Sequence, residues 1–393
     1  MRLRLQKWTL CKAVLAAVCG LIGSSAFAQY STTSYIGAPR PYCPPPPVCQ
    51  PAPGTTTMPY AEPGTTTLPR TDPSTMPGTM PGATAPAATA PSLSGETGGA
   101  GLGSAFAVAD PNYIDGAVPR TQFRLRYDSF YGDNRPDRAD FFYPKCGCFR
   151  IAGLDPNAKG PPLPESNIDS QQLSAYIEVA ASERLSGFVE VPERWINPTN
   201  NANASGLSDI NFGFKYAFLF DECQVGTFQL RASAPTGDPG LGLGTNNWAV
   251  EPAFLYERRL SEKLFLLGEL RDFIPIAAQD NFSGNVLRYG LGLSYIVYND
   301  CNLRIAPIAE VVGWSVLSGK EFALDINAPQ NTKDASGDTI VNAKIGTRFS
   351  FGATDGSSSG ILGNSDLALS YGRALTGTVW YKDIFRVEYR LRF

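Results

Sequence analysis

From about Thr121 to the end of the chain, apolar and polar residues alternate in long runs, and this constrains the fold more than any other feature. Ile210, Phe212, Phe214, Tyr216 and Phe218 alternate with Asn211, Gly213, Lys215 and Ala217. Leu287, Tyr289, Leu291, Leu293 and Tyr295 alternate with Arg288, Gly290, Gly292 and Ser294. A period of two places each set on one face of a strand. Twelve such segments are predicted, at about 121–131, 171–181, 185–194, 209–220, 225–234, 247–258, 263–273, 286–298, 302–313, 339–351, 365–373 and 382–393.

Both a soluble sandwich and a membrane barrel are built from alternating strands. Three features favour an all-β, antiparallel transmembrane barrel of about twelve strands. The strands exceed the ~5–6 residues usual in soluble sheets and match the ~9–11 needed to cross a bilayer at a tilt. Their connections run short then long, as periplasmic turns and outer loops do; the exception is 352–364, a Gly/Ser stretch where a short turn is expected. The last strand puts Tyr389, Leu391 and Phe393 on its apolar face, an ending that looks like the assembly signal of outer-membrane barrels. Aromatics at strand ends, such as Tyr131, Trp248, Tyr256, Tyr298 and Tyr371, are expected at the membrane interfaces.

The chain ahead of the strands divides in two. Residues 1–28 read as a cleavable signal peptide: a basic leader, a short apolar run, and Ala26-Phe27-Ala28 before Gln29 as the cleavage pattern. Residues 29–105 read as a disordered Pro/Thr/Gly-rich linker. Half of the 32 prolines fall here, and Pro53-Gly-Thr-Thr-Thr-Met-Pro59 recurs as Pro63-Gly-Thr-Thr-Thr-Leu-Pro69. Such a composition buries no core. It serves as a tether or as an arm contacting peptidoglycan. Residues 106–393 are assigned to the barrel.

Composition removes several functions. The chain has no histidine, which excludes Ser-His-Asp and Cys-His catalysis and His-ligated metals. A net charge of -3 offers no footprint for nucleic acid. No cofactor is implied, and no enzymatic activity is expected. Cys146-Gly-Cys148 lacks the four ligands of a structural zinc site, and pairing among Cys43, Cys49, Cys146, Cys148, Cys223 and Cys301 is not deducible from sequence. Glu251 and Glu257 are a carboxylate pair that fits lumen-facing alternation as well as hydrolytic chemistry.

If the apolar faces meet lipid, the opposite faces line the lumen. That set holds Arg124, Arg126, Lys215, Arg231, Glu251, Glu269, Arg271, Arg288, Arg304, Glu310, Lys344, Arg348, Arg386, Glu388 and Arg390, joined by Asp128, Glu178, Glu190, Glu257, Asp366 and Arg392. The interior is thus mixed in charge, and small residues such as Gly290, Gly292 and Ala253 leave room within it. Twelve strands lie between barrels filled by side chains and barrels holding a channel, so strand number does not decide between a pore and a plug.

Gly206-Leu-Ser-Asp-Ile-Asn-Phe-Gly-Phe-Lys-Tyr216, Ala232-Ser-Ala-Pro-Thr-Gly-Asp238 and Asn285-Val-Leu-Arg-Tyr-Gly-Leu-Gly-Leu293 resemble a strand, a loop and a later strand of the MetA-pathway of phenol degradation family. The resemblance covers about 205–315, and the barrel pattern extends it to 393. It implies an outer-membrane barrel associated with uptake of hydrophobic or aromatic compounds, and it brings no catalytic motif. The expectation is a porin-like channel for small solutes in the outer membrane, with membrane lipid and the barrel assembly machinery as partners. The alternative is a structural barrel with a plugged lumen that anchors the envelope through its Pro-rich arm.

Overall fold

The computed structural model describes residues 110–276, 282–300, 302–323, 332–352, 364–377 and 379–393. The signal segment with Ala26 and Ala28, the whole of the linker (29–105), and Cys301 lie outside these residues, and so do Cys43 and Cys49 within that linker.

Among the described residues sixteen strands are formed: β1 (Gln122–Asp133), β2 (Ile168–Ser182), β3 (Leu185–Pro198), β4 (Ala204–Leu207), β5 (Ile210–Phe220), β6 (Gln224–Ala234), β7 (Trp248–Arg259), β8 (Leu264–Ile276), β9 (Val286–Tyr295), β10 (Tyr298–Asn299), β11 (Leu303–Val316), β12 (Lys320–Phe322), β13 (Thr332–Asp334), β14 (Thr339–Phe351), β15 (Ser365–Ala374) and β16 (Asp383–Arg392). Twelve of them close into one antiparallel barrel in the order β1-β2-β3-β5-β6-β7-β8-β9-β11-β14-β15-β16. The last strand returns to the first, with Gln122 opposite Arg392 and Phe130 opposite Ile384. A closed sheet leaves no edge, so the backbone groups of every barrel strand find partners within the wall. The sandwich alternative is thereby removed.

The twelve predicted segments coincide with the twelve barrel strands within a few residues. The short strands β4, β10, β12 and β13 were not predicted. They are two to four residues long, too brief for a period to register. β9 ends at Tyr295, short of the expected 298, and Tyr298–Asn299 pair separately with β11 as β10.

The wall sorts side chains in the reverse of a soluble protein. Leu125, Tyr127, Phe212, Phe214, Phe254, Leu291 and Leu293 point outward and are exposed. Arg348, Asp366, Glu388 and Arg390 point inward and are buried. A contiguous apolar exterior of this kind is stable against hydrocarbon and unstable against water. Tyr131, Trp248 and Tyr298 sit exposed at strand ends, as expected of interface aromatics. At the outward-facing Gly313, the Tyr289 ring of the neighbouring strand occupies the space a Cβ would need, so the aromatic covers the bare backbone.

Candidate functional site in the barrel lumen

All fifteen lumen candidates lie on the inner wall, half-buried or buried. Most form ion pairs there: Arg126 with Glu190 at 2.5 Å, Lys215 with Glu178 at 3.1 Å, Arg271 with Glu251 at 3.2 Å and Arg288 with Glu269 at 2.8 Å. Glu388 joins three guanidiniums, at 3.8 Å from Arg124, 3.2 Å from Arg348 and 2.9 Å from Arg390. Arg386 clasps both oxygens of Asp128 at 2.6 and 2.9 Å. Arg304 lies apart, donating to Asn299 Oδ1 at 2.6 Å.

A plug is the main feature that the alternation did not reveal. Residues 110–120 dip into the barrel from the end that carries the short turns and come back to the same end. The base of this loop is pinned by Asp110, which pairs with Arg120 at 2.7 Å and with Arg390. At its apex the backbone N–H groups of Asn112, Tyr113 and Ile114 all donate to the Glu310 carboxylate at 3.0–3.3 Å. The Asp115 carboxylate meets Arg231 at 2.9 Å and also Arg271. On the way down, Ala117 N donates to Glu257 at 2.7 Å, and Ala117 O accepts from Thr227 at 2.5 Å. Wall arginines hold several of its carbonyls: Arg348 reaches Asp110 O at 3.1 Å, and Arg386 reaches Asn112 O at 2.5 Å. The inward glycines make room, since a Cβ on Gly290 would come within 2.9 Å of Ile114. Glu257 and Glu251, the pair considered for hydrolysis, are thus engaged with the plug backbone and with Arg271.

The opposite end is covered by a lid. The connection between β1 and β2 folds inward at Phe141 and Phe142. Phe141 packs edge-on against Phe273 of β8 at 4.9 Å and lies 4.7 Å from the Trp380 ring, which comes from the connection before β16. Beneath it Arg138, fully buried, pairs with Glu321 of β12 at 3.1 Å. The same connection carries the helix α1 (Cys148–Ile151) and a disulfide between Cys146 and Cys148, a pairing that sequence spacing left open. Cys223 is also disulfide-bonded.

Asp137 lies in this lid, accepting from Phe322 N at 3.2 Å. Burial, followed by repulsion from Glu321, pushes its carboxyl up to about 7. A carboxyl raised above its unfolded value of 3.8 stabilises the fold fully below that value, and the contribution is lost as pH rises through about 7. The lid is therefore expected to be tighter at pH 5 than at pH 8. Proteolytic nicking within 150–157 tests this: cleavage should accelerate across that window in the wild type, and the acceleration should vanish in Asp137→Asn. A pH-independent nicking rate in the wild type counts against it.

Between plug and lid lies a half-open chamber of about 210 Å³. Its aromatic lining includes Phe130, Phe141, Phe142, Phe273, Trp314 and Tyr381, and Tyr113 of the plug joins them. Its charged lining comprises seven cationic and five acidic side chains, and Glu269 behind it pairs with Arg288 and Arg271. Among the described residues no group of three or more Cys, Asp or Glu is placed to hold a metal.

One closed sheet, apolar outside and ionic inside, defines a membrane-type β-barrel whose lumen is occupied by its own chain. No family model matches the sequence, and no curated protein matches it. Among solved structures, an outer-membrane channel from Pseudomonas putida F1 is similar, with a TM-score of 0.44 and 16% identity over 72% of this chain and 99% of that one. The NanC porin is similar at a TM-score of 0.39 and 8% identity, covering 70% of this chain and 100% of its own. LpxR from Salmonella typhimurium is similar at a TM-score of 0.37 and 10% identity, over 69% and 100%.

Proposed function

We propose that the protein is a porin-like outer-membrane channel for small solutes, held shut in this conformation by a withdrawable plug and a lid. The chamber carries the reading. A cavity of about 210 Å³ lined by charged and aromatic side chains, between two separately attached closures, leaves room for water and a small solute. The closures also differ in kind. The plug is bonded by charges and backbone hydrogen bonds, whereas the lid joins an aromatic cluster to the buried Arg138–Glu321 pair. Lipid surrounds the belt, the barrel assembly machinery reads Tyr389, Leu391 and Phe393, and the Pro-rich arm reaches toward peptidoglycan.

The second reading, a structural envelope barrel, is favoured by the density of bonds that hold the plug. Planar-bilayer recording of the refolded full chain, and of a form lacking 110–119, separates the two. A channel shows brief openings in the full chain and sustained ohmic steps without the plug. Silence from both, with the barrel correctly inserted, removes the channel reading.

A further inference from the structure

The outer face of the wall departs from its apolar rule at one place. At the end opposite the short turns, polar residues stand side by side across β2, β3 and β4. Asp169 lies opposite Asn197, and Gln171 lies opposite Trp195, which in turn lies opposite Ser205. Together with Tyr131 and Asn203 they line an open groove of about 430 Å³. They face outward, since the alternate residues Ile168 and Ile196 are buried on the inner side. Trp195 and Tyr131 expose their rings. Among the described residues the side chains of Gln171, Asn197, Asn203 and Ser205 have no hydrogen-bond partner, and Asp169 commits one oxygen to Gly132 N at 2.8 Å. The lining holds no Lys or Arg. Glu193, the next outward residue below Trp195, adds a second acid. Lys382 stands beyond Tyr131, on the β16 side, where its backbone N–H donates to Tyr131 O at 2.7 Å.

What lies beside this groove follows from what lies below it. Down the same outward faces run Leu173, Ala175 and Ile177 of β2 and Val191 and Val189 of β3, which belong to the apolar belt. A lipid whose chains rest on that belt carries its headgroup level with the groove. A phosphate there meets two carboxylates and no cation of the lining, and is repelled. A sugar offers hydroxyls to amides and a carboxylate that both accept and donate, and a C–H face to the flat rings of Trp195 and Tyr131.

We propose that this groove holds an uncharged sugar in the headgroup of a glycolipid from the surrounding leaflet. The sugar ring lies against Trp195, and its hydroxyls bond to Asn197, Asn203 and Gln171. The site is continuous with the lipid-facing belt, so its occupant is part of the membrane and the chains hold it in place while the groove selects the headgroup. The inference goes beyond the channel reading and does not rest on it, because no lumen residue takes part.

The test offers three lipids with identical acyl chains to the refolded full chain in micelles: monoglucosyl diacylglycerol, phosphatidylethanolamine and phosphatidylglycerol. Native mass spectrometry counts what is retained. The glucolipid should be held about tenfold more strongly than either phospholipid. Trp195→Ala and Asn203→Ala should each remove most of that preference. Both side chains are exposed, so heat-modifiable migration should show the barrel folded as before. Trp248→Ala changes an exposed tryptophan at the same end of the barrel, outside the groove, and should leave the preference intact. Equal retention of the three lipids overturns the proposal, as does an equal loss in Trp195→Ala and Trp248→Ala. Displacement of the glucolipid by millimolar methyl glucoside also overturns it, because the groove then takes a soluble sugar and not a membrane lipid.

Discussion

Leu291→Arg should largely abolish assembly of the barrel into lipid, whereas Arg288→Leu, three residues earlier on the same strand, should leave assembly nearly intact. Leu291 is exposed on the outer face of β9, within the apolar belt. A guanidinium there costs roughly 2–4 kcal/mol if it lies near the bilayer midplane. Arg288 faces the lumen, pairs with Glu269 at 2.8 Å and donates to Tyr113 O at 2.5 Å. Losing it loosens the plug but exposes no charge to hydrocarbon, and Glu269 retains Arg271 at 3.2 Å. Heat-modifiable migration after refolding into vesicles reads both variants. If the two fold equally well, the assignment of faces is wrong.

Asp115→Ala should release the plug with the barrel still assembled. Its carboxylate is the shared counter-ion of Arg231 and Arg271, on β6 and β8. Removing one partner of a buried charge cluster costs up to about 3–5 kcal/mol; here Arg271 keeps Glu251 and Glu269 and Arg231 keeps Glu190, which holds the cost toward the lower end. That cost falls on the docked state of residues 110–120 and spares the wall, whose backbone bonds do not involve Asp115. Hydrogen exchange should show Asn112, Tyr113 and Ile114 amides losing protection by several orders of magnitude while β6 and β8 amides stay protected. Protection lost together in plug and wall means that the segment is an integral part of the barrel core and does not dock separately.

The wall was legible in the sequence because its rule is local. A residue two positions away shares a face, so Phe385, Val387 and Tyr389 announce their side without reference to anything distant. The inward charges followed from the same rule. The plug obeys no such rule. Asp110-Pro-Asn-Tyr-Ile-Asp-Gly-Ala-Val has neither period, and its partners on the wall stand between 110 and 280 residues away. The sequence did carry one trace of it, in the inward small residues Gly290 and Gly346, which leave space for Ile114 and Asn112. The lid was equally hidden, since Phe141, Phe142 and Trp380 sit in long connections where aromatic residues imply no direction. The mixed charge of the lumen was read as a choice between pore and plug, whereas the folded chain shows closure by a separate segment with room left above it.

The stopper is held by peptide to β1, and its first described residue, Asp110, is pinned to Arg120 at that same mouth. It can be drawn back toward that mouth but cannot be expelled through the opposite one or lost to solution. Opening is therefore a bounded excursion along a leash, and reclosing is an intramolecular event whose speed does not depend on how many copies of the protein surround it.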